Sequence, residues 1–163
     1  MGIEIERKFL TGSDAWRDLG EGTDYRQGYL LTAPERTVRV RTAGERGYLT
    51  IKGGSVGAGR SEYDYEIPID DARELLDELC MRPLIEKRRH RIPYAGLIWE
   101  IDEFFGENHG LVLAEVELES EDQSVDLPQW IGEEVTGDPR YFNAALVARP
   151  FSTWGPDSPG FGA

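Results

Sequence analysis

Ile3-Glu4-Ile5-Glu6-Arg7-Lys8-Phe9 alternates without a break: Ile3, Ile5 and Phe9 fall on one side with the aliphatic stem of Arg7, and Glu4, Glu6 and Lys8 on the other. A period of two makes this segment a β-strand with ionised groups along one face. The pattern returns along the chain. Val38 and Val40 oppose Arg39 and Arg41; Leu49 and Ile51 oppose Thr50 and Lys52. Over 60–69, Arg60, Glu62, Asp64 and Glu66 oppose Tyr63, Tyr65, Ile67 and Ile69. Over 86–92, Lys87, Arg89 and Arg91 oppose Arg88, His90 and Ile92. Over 98–104, Glu100 and Asp102 oppose Trp99 and Ile101, and over 112–119, Glu115, Glu117 and Glu119 oppose Val112, Ala114, Val116 and Leu118.

With 25–31 as a less regular member, these are eight strand candidates, enough to close a barrel. Helical patterns interrupt them at 13–19, opened by Ser13 as a cap, at 70–79, with Leu75, Leu76 and Leu79 on one side, and at 128–147 in two pieces broken at Gly137-Asp138-Pro139. The expected fold is therefore α+β but mainly β: an eight-stranded antiparallel closed barrel, a tunnel with a charged interior, covered outside by short helices. One domain is expected over 1–150, followed by a mobile tail over 151–163 rich in Gly, Pro and Ser. The glycine-rich stretch 53–59 lacks the ending of a phosphate loop and reads as a hairpin connection.

Composition narrows the chemistry. The 163 residues suit one domain, and no apolar run is long enough to cross a bilayer, so a soluble, cytoplasmic protein is expected. One cysteine, Cys80, and two histidines, His90 and His109, exclude a disulfide framework and a multi-cysteine zinc site. A net charge of −13, from 31 acidic and 18 basic residues, argues against nucleic acid or an anionic membrane as partner.

A sheet with one wet face would explain charge on any single strand. Here the charged faces hold few Ser, Thr, Asn or Gln, and all three lysines of the chain, Lys8, Lys52 and Lys87, lie on them. Turned into a closed barrel, such faces must bind something charged, because desolvated charge has to be paired. Clustered Arg and Lys suit phosphate oxygens, and carboxylates without His or Cys suit a hard divalent cation, magnesium or manganese before calcium.

Glu4-Ile5-Glu6-Arg7-Lys8 carries an ExExK signature and resembles the triphosphate tunnel metalloenzymes, the CYTH superfamily. Arg39-Val40-Arg41, Thr50-Ile51-Lys52, Glu62 to Glu66, Glu86-Lys87-Arg88-Arg89, Glu100-Ile101-Asp102, Glu115-Val116-Glu117 and Pro139-Arg140-Tyr141-Phe142-Asn143 follow in the family's order. The resemblance implies a tunnel that binds a triphosphate with one or two divalent metals, magnesium or manganese, and cleaves or rearranges it. The short members with this kind of start are similar to inorganic tripolyphosphatases; others are class IV adenylate cyclases, thiamine triphosphatases or RNA triphosphatases.

On that basis Glu4 and Glu6 are assigned to a metal, completed by Glu115 and Glu117 from the last strand, which neighbours the first in a closed barrel. Lys8, Arg39, Arg41, Lys52, Lys87 and Arg89 are assigned to the phosphate oxygens. Lys8, Lys52 and Glu62 are the catalytic candidates, with Asp64 and Glu66 as alternative carboxylates to orient a water. Glu100 and Asp102 are either further metal contacts or acceptors that hold the basic groups in place. Tyr141 and Asn143 plug one mouth or serve packing. The expected activity is metal-dependent hydrolysis of inorganic tripolyphosphate to pyrophosphate and phosphate by a monomer or homodimer; a cyclase, a nucleotide or thiamine triphosphatase, and a non-catalytic polyphosphate-binding module are the alternatives.

Overall fold

The computed structural model describes residues 2–54 and 59–155. Its strands are β1 (Gly2–Thr11), β2 (Gly22–Ala33), β3 (Arg36–Ala43), β4 (Arg46–Gly53), β5 (Gly59–Ile67), β6 (Ile85–Tyr94), β7 (Leu97–Phe104), β8 (Val112–Glu117) and β9 (Ile131–Glu134), with helices α1 (Ile69–Glu78) and α2 (Asn143–Ala148). They pair in the order β5-β4-β3-β2-β6-β7-β8-β1, and β1 pairs again with β5, so eight antiparallel strands form a ring. All eight expected strands are present. The expected glycine-rich connection lies partly, and the tail beyond 155 wholly, outside the described residues.

Two expected helices are not helices. Residues 13–19 form successive turns, with Arg17 N–H donating to Asp14 O and Leu19 N–H to Trp16 O. Seven residues between Gly12 and Gly20 are too few to sustain a helix unaided, and the segment is held instead by the fully buried Trp16. The first piece of 128–147 contains β9. Its cause lies in β1, whose Gly2–Ile5 edge is taken by β5 while Phe9 and Thr11 on the same edge need another partner. β9 supplies it, because unpaired backbone groups beside a core must find donors and acceptors. The second piece becomes a 3₁₀ turn at Pro139–Tyr141 followed by α2.

The ring is apolar at one end. Leu10, Ile85, Phe104 and Leu113 share their strands' inward faces with charged neighbours and, with Tyr29, pack on Val135, Tyr141, Leu146, Val147, Phe151 and Trp154 from the C-terminal segment. This segment forms a floor. Phe151 and Trp154 are buried in it, and Phe151 N–H donates to Asn108 Oδ1 at 2.8 Å.

Outside, the covers are uneven. α1 lays Ala72 and Leu76 on Val40, Leu49 and Ile67. Over β1, β8, β7 and β6 the cover is loop, carrying Trp16 and Trp130 onto Phe9, Trp99, Ile101 and Val116. Short helices therefore cover only part of the outer surface. Among the described residues no helix is long and apolar enough to cross a membrane. Because Leu76 is fully buried and fastens α1 to the ring, Leu76→Ala should cost about 2–5 kcal/mol in chemical denaturation. A loss below about 1 kcal/mol would mean that the helix is not part of the cooperative fold.

Candidate active site

Alternation turns Glu4, Glu6 and Lys8 of β1 inward, and register sets them beside β8: Glu6 lies opposite Glu117 and Lys8 opposite Glu115. Glu115 lies in turn opposite Glu100 of β7, and Asp102 opposite Arg89 of β6. The last strand is thus the neighbour of the first, as the sequence assignment requires.

Asp102 is fully buried and accepts from Lys87 Nζ at 2.7 Å and from Arg89 Nε and Nη2 at 2.7 and 2.8 Å. Burial opposes its ionisation, but Arg89 and Lys87 hold its carboxyl well below the usual range. Of the two roles open to Asp102, holding basic groups in place is the one its contacts display. Glu115 is 3.6 Å from Lys8 Nζ and 4.0 Å from Arg89, which keep it ionised against burial. Glu100 contacts Arg89 and Arg91, each at 3.4 Å. Lys52 donates to both oxygens of Glu4, at 2.9 and 3.1 Å, and lies 3.4 Å from Glu62.

Two sets of like charges are left in conflict. Burial, with Glu115 and Glu4 beside it, pushes the Glu6 carboxyl up to about 8 against the pull of Lys8 and Lys52. Burial, then Glu4 and Glu100, likewise raises Glu117. Among the basic groups, burial together with Arg39 and Arg89 lowers Arg41. Burial, with Arg89 and Arg41, pushes the Lys87 ammonium down to about 7 although Asp102 draws it up. Arg39 Nη2 reaches Thr50 Oγ1 at 3.2 Å, but its buried Nε has no partner among the described residues. An unpartnered guanidinium nitrogen among mutually repelling cations is an arrangement whose strain an anion would relieve.

The carboxylates Glu4, Glu6, Glu115 and Glu117 are hard oxygen donors on two adjacent strands, and the raised Glu6 and Glu117 mark a repulsion that a cation would relieve. In donor chemistry they fit a divalent metal. Among the described residues, however, no three carboxylate, histidine or cysteine groups are gathered into a finished metal cluster, since Glu4 and Glu115 are engaged by lysines. Asp64 and Glu66 are exposed; Asp64 accepts from Thr50 at 2.6 Å and Glu66 lies 3.7 Å from Arg46. His90 is outside, edge-on to Trp16.

Two inward residues, Tyr25 and Gln27, were not singled out from the sequence, and Asn143 was expected only to plug one mouth or serve packing. Tyr25 lies between the guanidiniums of Arg41 and Arg89, at 4.9 and 5.1 Å from its ring centre, an orientation-giving stack. Gln27 and Asn143 bond to Arg41 and Lys87. At the floor, Lys8 Nζ donates to Tyr141 O at 3.1 Å. A cavity of about 380 Å³ lies at the rim, lined by Arg91, Gly96, Leu97, Ile98, Glu100 and Glu117 among others.

A ring of strands closed at one end, with crowded cations facing a wall of carboxylates, defines a receptor for a short polyanion accompanied by a metal. The chain belongs to the CYTH domain family, which matches residues 2–150. It is 51% identical over 154 residues to an inorganic triphosphatase of Acetivibrio thermocellus, covering 94% of this chain and 99% of that one. It is 41% identical over 150 residues to an inorganic triphosphatase of Nitrosomonas europaea, covering 88% and 96%. A crystal structure of an inorganic triphosphatase is similar with a TM-score of 0.65 at 36% identity, covering 90% of this chain and 95% of the other.

Proposed function

We propose that this chain hydrolyses inorganic tripolyphosphate to pyrophosphate and phosphate. The observation that carries the reading is the cation cluster of Arg39, Arg41, Lys87 and Arg89, repelling internally and with Arg39 Nε unpartnered, inside a ring whose relatives are named inorganic triphosphatases. Arg39, Arg41, Lys87, Arg89 and Lys8 would hold the phosphate oxygens and stabilise the charge that grows on the leaving pyrophosphate. Lys52, between Glu4 and Glu62, would keep both carboxylates in place. Glu62, whose carboxyl is raised by burial and by Glu4, would orient a water in line with the scissile bond, through which a P–O bond forms as the bridging one breaks. Glu4, Glu6, Glu115 and Glu117, with Glu100 beside them, would hold magnesium or manganese, which when bound offsets phosphate charge and lowers the pKa of a bound water. A cytoplasmic location and a monomeric or homodimeric state belong to the same proposal.

Phosphorus NMR of the products decides it. With magnesium or manganese, tripolyphosphate should give equal amounts of pyrophosphate and phosphate, and a chelator should stop the reaction. Cyclic AMP formed from ATP, with tripolyphosphate untouched, would replace the hydrolase by a cyclase; metal-dependent binding without any product would leave a binding module.

Binding should also take up protons. At pH 8 the Lys87 amine, at about 7, is mostly neutral in the free protein, and an arriving polyanion favours its charged form and raises its pKa. Calorimetry of metal-free tripolyphosphate binding at pH 8 in buffers of different ionisation heat should therefore show net uptake, reduced in Lys87→Arg. Proton release, or none, would contradict this assignment of Lys87.

A further inference from the structure

We propose that Gln27 and Asn143 are positioning residues, a neutral amide relay that aims Arg41 and Lys87 at the substrate without adding a further carboxylate beside them. The inference rests on the proposed triphosphatase reading. Gln27 is fully buried on the inward face of β2; its Oε1 accepts from Arg41 Nε at 3.0 Å and its Nε2 donates to Asn143 Oδ1 at 2.7 Å. Asn143, the first residue of α2, accepts at the same oxygen from Lys87 Nζ at 2.9 Å.

The direction of every bond follows from chemistry. A guanidinium cannot accept, so Gln27 must turn its oxygen to Arg41 and its NH₂ to Asn143; Asn143, facing two donors, must present its oxygen. The two cations, which repel each other, are thereby tied to one rigid pair of amides. The contrast with their surroundings gives the reason for amides. Lys52 is held by Glu4, and Arg89 and Lys87 are both held by Asp102, each contact offsetting a cation, whereas among the described residues no carboxylate pairs with Arg41. A third carboxylate at 27 or 143 would remove the positive field that draws a polyanion, whereas an amide fixes orientation and leaves the charge available. Because Asn143 belongs to the segment that packs the floor, and Lys8 also bonds to Tyr141 O there, seating of 141–148 becomes part of the site.

The test is steady-state kinetics on tripolyphosphate with the full chain, with a melting curve for each variant. Asn143→Leu and Gln27→Met remove the relay but keep volume; kcat should fall about ten- to a hundredfold with KM within about threefold, because charge attraction persists while alignment is lost. Asn143→Asp and Gln27→Glu keep an acceptor and add charge; they should retain more kcat than the apolar variants while KM rises about tenfold or more. The double variant Gln27→Met with Asn143→Leu should be no worse than the worse single change, since both break one chain of bonds. Unchanged kcat in Asn143→Leu overturns the relay, as does an equal fall of kcat in the Leu and Asp variants, at unchanged KM, that merely tracks the folded fraction lost in the melting curves. A wild-type chain that cleaves no tripolyphosphate overturns the triphosphatase reading itself, a separate and distinguishable failure.

Discussion

Asp102→Ala is expected to destabilise the protein by about 3–5 kcal/mol, the cost of leaving buried charge without its partner. Asp102 has no exposed surface and receives hydrogen bonds from Lys87 and from both arms of Arg89. Without it, the Arg89 guanidinium is left buried beside Arg41 without its main partner and the Lys87 amine is pushed further toward its neutral form, so burial and repulsion act in the same direction. At about 2–4 °C per kcal/mol for a chain of this size, the melting temperature should drop by roughly 6–20 °C. Adding tripolyphosphate should recover part of that drop, because an anion bound by the folded state alone stabilises it. A melting temperature within a degree or two of wild type would show that the pairs around Asp102 do not support the fold.

Arg39→Leu should separate activity from stability in opposite senses. Its guanidinium is buried, its Nε has no partner among the described residues, and Arg41 feels its repulsion, so in the free protein it is a cost. Replacing it by an apolar side chain should leave the melting temperature unchanged or higher. In the proposed complex the same group would contact developing phosphate charge, and losing one such contact should lower kcat/KM by about a hundred- to a thousandfold. Melting curves and steady-state rates on one preparation read both effects. A variant that is less stable yet fully active would make Arg39 a structural residue and remove the main support for the anion site.

The ring was legible because its strands carry a period of two over long stretches, clearest in Ile3-Glu4-Ile5-Glu6-Arg7-Lys8-Phe9. β9 was not, since Ile131-Gly132-Glu133-Glu134 has no pattern of its own and becomes a strand only because half of one β1 edge lacks a partner. The charged wall could be read from Glu4, Glu6, Glu115 and Glu117, whereas the floor was hidden. Leu10, Phe104 and Leu113 sit on the same faces as Lys8, Asp102 and Glu115, and one apolar residue ending each charged row was the available signal. Gln27 escaped notice, and Asn143 offered only a plugging or packing role, because a neutral side chain carries no charge pattern, and their pairing across 116 residues exists only in the folded chain. Ser13 to Leu19 offered a helical period too short to outweigh what Trp16 gains by burial.

The most direct test is a crystal structure with tripolyphosphate and manganese, the metal located by its anomalous signal. The account predicts a chain of three phosphates inside the ring, on Arg39 Nε, Arg41, Lys87 and Arg89, with Lys8 toward the floor and manganese against Glu4, Glu6, Glu115 or Glu117. Phosphates confined to the rim cavity by Arg91, or manganese away from all four carboxylates, would contradict it.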